Sequence, residues 1–315
     1  MGGRVFFIGV FAAVVAGLAA TRLGVNEYYF FAGYMVLQFV VIATAWNILG
    51  GYAGYVNFGS AGFFAIGVYC SIALIKAVDL PLPLLIVAGA IAAGIVGLAT
   101  GYLTLRLRGV YFAIATLALA IVLETLVANW GYVGGASGTV VMRPREVMFF
   151  DSYVEFLFVV MLVLAAGAIV IARTIEHSRL GRGLRAIRDE ELAAECMGVP
   201  TLKLKLVATT ISGALMGAAG APFSYYVTYV DPPSAFNLSF AVNAVAMPMI
   251  GGTATWIGPL VGALLLGSIQ QVATVTISSE LNLLIVGLML IIFVVLAPEG
   301  LVGLVRRTVN WARRN

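Results

Sequence analysis

Reactive side chains are sparse in this chain, and their spacing argues against catalysis. The one histidine, His177, and the two cysteines, Cys70 and Cys196, stand far apart, so no set of metal ligands has the spacing that coordination needs and no metal site is expected. No pair of acidic residues is placed to hold magnesium, and there is neither a GxxxxGK[ST] phosphate loop nor any Gly-Lys pair. Glu124 is the one charged residue well within an apolar run, close to that run's end, where a solvated position is expected rather than a proton relay. What remains is hydrogen-bonding capacity. Asn57, Ser60 and Thr253 sit in two glycine-rich stretches, Gly50 to Gly67 and Gly251 to Gly267, and Asn47, Thr116 and Asn243 lie in neighbouring runs. Uncharged donors and acceptors among glycines suit the passage of a small zwitterionic or neutral solute. An enzyme is not expected.

The elements that must position these residues are membrane helices. The composition is 62% hydrophobic and 10% charged, where a soluble chain carries about 25% charged residues. Apolar runs of about the 20 residues that cross a bilayer recur along the whole length. They fall at 5 to 21, 30 to 49, 55 to 75, 84 to 104, 110 to 128, 153 to 173, 203 to 222, 239 to 250, 256 to 276 and 281 to 297. The expected fold is an all-α polytopic bundle of about ten transmembrane helices, with broken or half helices, forming a single domain over 1–315. The first run resembles a signal peptide in its Arg4 and its apolar core, but with so many runs behind it a first span or signal anchor is the reading taken. The eighth run is too short to cross alone and continues through Gly251 and Gly252 toward the ninth, as a half or broken helix would.

Placing both termini in the cytoplasm puts fourteen of the 18 basic residues inside: Arg4, Arg106, Arg108, Arg173, Arg179, Arg182, Arg185, Arg188, Lys203, Lys205, Arg306, Arg307, Arg313 and Arg314. Only Arg22, Lys76, Arg143 and Arg145 then fall outside, which is the asymmetry of cytoplasmic loops. The net charge of +4 is thereby explained by membrane orientation, and nucleic acid is not expected as a partner.

Two connections are long. Residues 129–152 are placed outside and carry Gly134-Gly135-Ala136-Ser137-Gly138, a stretch suited to a flexible loop, a lid or an external contact. Residues 174–201, placed in the cytoplasm, are the most charged part of the chain. There Leu184, Ile187 and Leu192 share one side of a helical wheel, with Arg182, Arg185 and Asp189 on the other and Arg185 and Asp189 four apart. Gly198 and Pro200 supply a stop. The spacing predicts a short amphipathic helix across the cytoplasmic face. Its acidic run Asp189-Glu190-Glu191, with Glu195 nearby, suits a protein partner better than an anionic lipid surface, and His177 at its edge is read as solvated.

In Gly50-Gly51-Tyr52-Ala53-Gly54 with Asn57-Phe58-Gly59, in Leu105 to Ala113, in GRGLRAIRDEELAAECMGV, in Gly251-Gly252-Thr253 to Gly258-Pro259, and in Ala297-Pro298-Glu299-Gly300-Leu301, the chain resembles the LivM-like permeases of the branched-chain amino acid ABC importer family. Their order and spacing cover the chain from near residue 30 to its end. The resemblance implies a bacterial cytoplasmic (inner) membrane complex: this permease, a homologous LivH-like permease, two cytoplasmic ATPase subunits and an external or periplasmic substrate-binding protein. ATP and magnesium would be used by the ATPases, with no cofactor on this chain. It implies further that the segment from Gly181 to Gly198, with Arg182, Leu184, Arg185, Ile187, Arg188, Asp189, Glu190, Leu192 and Glu195, docks on an ATPase. Asn47, Asn57, Gly59, Ser60, Thr116, Asn243, Gly251, Gly252 and Thr253 are the candidate pathway residues. The implied activity is alternating-access import of branched-chain or other hydrophobic amino acids. Urea, amides and aromatic acids are the solutes of related permeases, and a passive channel or gradient-driven carrier is the other class of reading.

Overall fold

The computed structural model describes residues 3–22, 26–78, 80–144, 150, 152–276, 282–296 and 300–304. Arg145, Arg306, Arg307, Arg313, Arg314 and the segment Ala297-Pro298-Glu299 lie outside the described residues. In chain order the helices are α1 (Gly3–Ala20), α2 (Glu27–Ala53), α3 (Ser60–Val78), α4 (Leu82–Thr104), α5 (Val110–Ala128), α6 (Tyr153–His177), α7 (Arg179–Asp189), α8 (Glu191–Cys196), α9 (Thr201–Gly220), α10 (Phe223–Val227), α11 (Pro232–Ala235), α12 (Leu238–Gly251), α13 (Ile257–Thr276) and α14 (Asn282–Leu296). Eight stretches among the described residues are long and apolar enough to cross a membrane, and two shorter apolar helices, Val5–Ala20 and Leu284–Phe293, complete the ten expected runs. The chain is therefore an all-α, multi-pass membrane protein.

Local chemistry sets where the helices begin and end. The Asn26 side chain accepts from the Tyr28 amide at the start of α2, and Gly54, with φ at 76°, closes it in the left-handed conformation. Ser152 opens α6 by accepting from Val154, while Ser178 both closes α6 and caps α7. Asp231 and Ser234 form a reciprocal capping box on α11, with Pro232 in its first turn.

The bundle is organised around α2, whose second half is buried on every side. Against it packs α9, and α3, α4 and α9 approach one another so closely that a side chain on Gly217 of α9 would overlap the Gly89 carbonyl of α4. One on Gly67 of α3 would likewise overlap the Gly217 carbonyl. Helices in lipid gain no hydrophobic drive from one another, so small residues that let backbones meet are what hold such a seam. By contrast α5 turns Val110, Tyr111, Ile114, Ile121, Val122 and Leu126 outward. In a bilayer that is the ordinary lipid-facing surface.

The short eighth run forms one short helix, α12, which ends at Gly251 and does not continue into the ninth as a single helix. α12 has 14 residues, a length of about 21 Å at 1.5 Å per residue, and Gly252 reverses the chain. Gly251 then lies against Gly258 and Met247 against Gly262, so α12 and α13 run antiparallel as a tight hairpin.

The basic loop is two helices where one was expected. Glu190 is extended, with φ −161° and ψ 107°, and divides α7 from α8. Leu184 and Ile187 are buried as their spacing requires, but the break rotates Leu192 out to 56% exposure. The expected Arg185 to Asp189 pair gives way to a bond from the Arg185 guanidinium to the Glu176 carbonyl at 3.1 Å.

The long connection before α6 is partly structured. Two 3₁₀ turns, Gly131–Val133 and Gly135–Ser137, lead into β1 (Thr139–Val140), which pairs antiparallel with β2 (Tyr229–Val230). Arg143 donates to the carbonyls of Tyr225 and Tyr226 at 2.7 and 2.5 Å. This cap closes the end of the bundle opposite to α7 and α8.

Candidate functional site

The break between α2 and α3, residues 54–59, is held by side chains from three helices. The Trp46 indole N–H donates to the Asn57 carbonyl at 2.8 Å, and the Asn57 side-chain oxygen accepts from the Gly59 amide at 2.7 Å. Ser60 donates to the same Asn57 carbonyl at 3.3 Å. From α5, the Thr116 hydroxyl accepts from the Phe58 amide at 3.1 Å and donates to the Ala113 carbonyl at 2.9 Å. Backbone freed by a helix break within a membrane must be satisfied internally, and this cluster does so. Asn57, Ser60 and Thr116 are buried. Thr116→Val keeps the shape and removes the acceptor for Phe58, which is expected to cost about 1–3 kcal/mol. Thermal unfolding in detergent should show a lowered midpoint for valine and near-normal behaviour for Thr116→Ser.

The second break, between α12 and α13, meets the last turn of α2, which leads into the first. The Thr253 carbonyl and the Asn47 side chain both lie against the bare Cα of Gly51. Trp256 donates its backbone N–H to the Glu176 carboxylate of α6 at 2.7 Å. Its ring packs edge-on to Phe6 of α1, over which the Arg173 guanidinium sits at 3.9 Å. Gly300, with φ at 73°, closes against Gly252.

Above these breaks lies the basic loop. Leu184 and Ile187 of α7 join Ile48, Leu49, Tyr52, Leu105, Phe112 and Ile175 in a separate apolar cluster at this end of the bundle. Arg188 donates to the Gly51 carbonyl at 2.8 Å, fixing α7 to the end of α2. Between the first break, the α4–α5 turn and the loop opens a cleft of about 590 Å³, lined by Tyr55, Phe58, Arg108, Ile187, Arg188 and Glu191 among others.

One carboxylate, Glu191 of α8, organises the polar wall of that cleft. Lys205 of α9, only 3% exposed, donates to it at 2.7 Å, and the Tyr55 hydroxyl donates to its other oxygen at 2.5 Å. Arg108 stands 3.6 Å away and more than half exposed, so it adds little by itself. Burial opposes the Glu191 charge, yet the bonds from Lys205 and Tyr55 and the charges of Lys205 and Arg108 outweigh it. They hold the carboxyl below its ordinary pKa. The Tyr55 phenol acts as the donor in its bond to Glu191 and as the acceptor from Lys205.

The sequence-derived residues thus fall into four groups. Asn47, Gly251, Gly252 and Thr253 meet at the junction of the breaks, and Asn57, Gly59, Ser60 and Thr116 knit the first break together. Asn243 lies elsewhere, between α12 and α13, accepting from Gln270 at 2.9 Å. In the loop, Arg182, Asp189, Glu190, Leu192, Glu195 and Gly198 point outward, whereas Gly181, Leu184 and Ile187 face the bundle. Glu195 accepts from Thr201 at 2.6 Å. His177 is exposed, as read from the sequence.

Sequence reasoning passed over Tyr55, Glu176, Glu191 and Lys205 as parts of a site. Lys205 carried a signal: with Thr209 and Ser212 it forms a buried polar stripe at spacings of four and three along α9.

A family model described as branched-chain amino acid transport system / permease component matches residues 28–294. The chain is similar to the high-affinity branched-chain amino acid transport system permease protein LivM of Salmonella typhimurium, at 26% identity over 86% of this chain and 69% of the relative. It is similar in the same measure to LivM of Escherichia coli, at 26% identity over 86% of this chain and 69% of that protein. The corresponding permease protein LivH of Salmonella typhimurium is 22% identical over 84% of this chain and 91% of its own length. No solved structure matches the chain. The multi-pass helical bundle, its two glycine breaks and the match over most of its length lead to one conclusion: the chain belongs to the family of permease components of branched-chain amino acid transport systems.

Proposed function

We propose that this chain is the membrane-spanning permease subunit of an ATP-binding-cassette importer in a bacterial cytoplasmic membrane. It moves branched-chain or other hydrophobic amino acids by alternating access. It carries no ATPase site of its own. Its partners are a homologous LivH-like permease, two cytoplasmic ATPases that use ATP and magnesium, and an external substrate-binding protein that supplies most of the selectivity. The end bearing α7 and α8 faces the cytoplasm, along with both termini, and 1–315 acts as a single permease domain.

One observation carries this reading. The charged loop presents Arg182, Asp189, Glu190 and Glu195 to the surrounding solvent while its inner face bonds directly to the ends of the broken helices, through Arg188 to Gly51 and through Glu191 to Tyr55. A loop that merely lay on lipid would need neither outward acidic groups nor attachment to the breaks. An outward surface that a motor subunit can grip, joined to helix breaks that can rearrange, is what coupled transport requires. The similarity to LivM and LivH, both named for branched-chain amino acids, supports that solute class.

Reversing the outward charges with Arg182→Glu and Asp189→Lys tests the docking assignment. Purified from its native membranes, the unsubstituted chain is expected to bring two ATPase subunits with it, and the double variant to lose most of them while its own yield is unchanged. Equal recovery of ATPases with both chains, or of none with either, would contradict it.

A further inference from the structure

We infer that Lys205, gripping Glu191 and Tyr55, is the positioning residue that carries movement of the docking loop into the broken helices. The inference rests on the transport reading above and identifies the link within it.

An ammonium group has three N–H donors, and Lys205 uses each on a different segment. It donates to the Glu191 carboxylate of α8 at 2.7 Å, to the Tyr55 hydroxyl in the α2–α3 break at 3.0 Å, and to the Leu105 carbonyl at the end of α4 at 3.2 Å. Its own helix, α9, continues into the glycine seam with α3 and α4. A single buried charge therefore ties the loop, the first break, the α4–α5 turn and the central seam to one point. Tyr55 adds a second grip, since its hydroxyl donates to the same carboxylate and its ring lies 4.6 Å beneath the Lys205 nitrogen.

A plain structural staple would need none of this branching. Replacing both members of a buried ion pair by apolar residues of similar volume is often neutral or stabilising, so stability alone does not call for Lys205 and Glu191 together. The arrangement makes more sense as a mechanical joint. Bonds between charged groups are strong and directional, so displacement of α8 pulls on the break and the turn together, where apolar contacts would slip. Glu191 also has Arg108 on its open side at 3.6 Å, giving the carboxylate a second cation as the loop moves. The second break is joined separately, since Glu176 binds the Trp256 amide while its own carbonyl accepts from Arg185.

The test uses the whole complex, reconstituted in vesicles with its co-purifying subunits and binding protein. Labelled leucine uptake and ATP hydrolysis are measured together for the unsubstituted chain, Lys205→Met, Lys205→Arg and Tyr55→Phe. Lys205→Met is expected to lower leucine moved per ATP hydrolysed at least tenfold with the ATPases still bound. Lys205→Arg should restore most of that ratio, and Tyr55→Phe should lower it several-fold. A loss of stability alone leaves the ratio unchanged, so an unchanged ratio in Lys205→Met and Tyr55→Phe overturns the inference. Should Lys205→Met fail to assemble, Tyr55→Phe decides in the same way. ATP-independent uptake by the unsubstituted complex would instead overturn the transport reading itself, and this inference with it.

Discussion

Gly258→Val is expected to abolish recovery of folded protein. A side chain at this position would overlap the Gly252 carbonyl, and one at the facing Gly251 would overlap the Gly258 carbonyl. Because the obstruction is backbone and lies inside a hairpin closed again by Gly262 against Met247, no rotamer change relieves it. Overpacking a well-filled core typically costs 1–3 kcal/mol where side chains can shift. Here the helices themselves must separate, and the expected cost is at or above about 3 kcal/mol on the same scale. Opening the hairpin also pulls Thr253 from Gly51, so the junction of the two breaks is lost with it. Size-exclusion profiles of detergent-extracted protein check this. A monodisperse peak at normal yield for Gly258→Val would show that α12 and α13 do not pack as described, while Ile257→Val beside it should behave as the parent does.

Removing the buried ammonium is the second large effect. Lys205→Met leaves the Glu191 carboxylate without its closest cation and the Leu105 carbonyl without its donor. Breaking a buried ion pair from one side costs about 3–5 kcal/mol, and with Glu191 at the rim of the cleft the lower end is expected. The same pair predicts an acid limit. Since the folded state holds Glu191 below the ordinary carboxylate value of 4.5, its contribution is complete above that value and is lost as pH falls through the lower folded pKa. Thermal midpoints measured from pH 6 downward should fall in that acid window for the parent. In Glu191→Gln the part of the fall owed to this carboxyl disappears. An identical acid profile in the two proteins would show that Glu191 contributes nothing through its charge.

Much of this was legible from the residues, because a bilayer leaves few options. Backbone groups in lipid must pair within the segment, so long apolar runs had to be helices, and the ten runs appear in order. The break after α2 was expected at 50–54, with 55–75 read as one run, whereas α2 continues to Ala53 and α3 starts at Ser60; Asn57, a short side chain that bonds its own backbone, was the available signal. The division of α7 from α8 was not legible, since Glu190 is an adequate helix former and only the fit of Arg188 and Glu191 to different partners draws that residue out straight. A wheel drawn through the break consequently placed Leu192 inside. The central seam was missed because glycines at 89, 97 and 101 with Ala93 between them, and at 213 and 217, were scattered among many others. Their four-residue spacing was the available signal. Lys205 entered the reading only as a mark of orientation. Its burial depends on partners 14, 100 and 150 positions away in the chain, which no local pattern encodes.

The most direct test of the central claim is uptake of labelled leucine, within a panel of small solutes, into vesicles holding this chain with its co-purifying subunits and binding protein, with ATP supplied on the ATPase side or withheld. Accumulation of leucine or another hydrophobic amino acid only when ATP is present is the expected result. Uptake that proceeds equally without ATP would contradict the importer reading and identify the chain as a passive channel or a gradient-driven carrier.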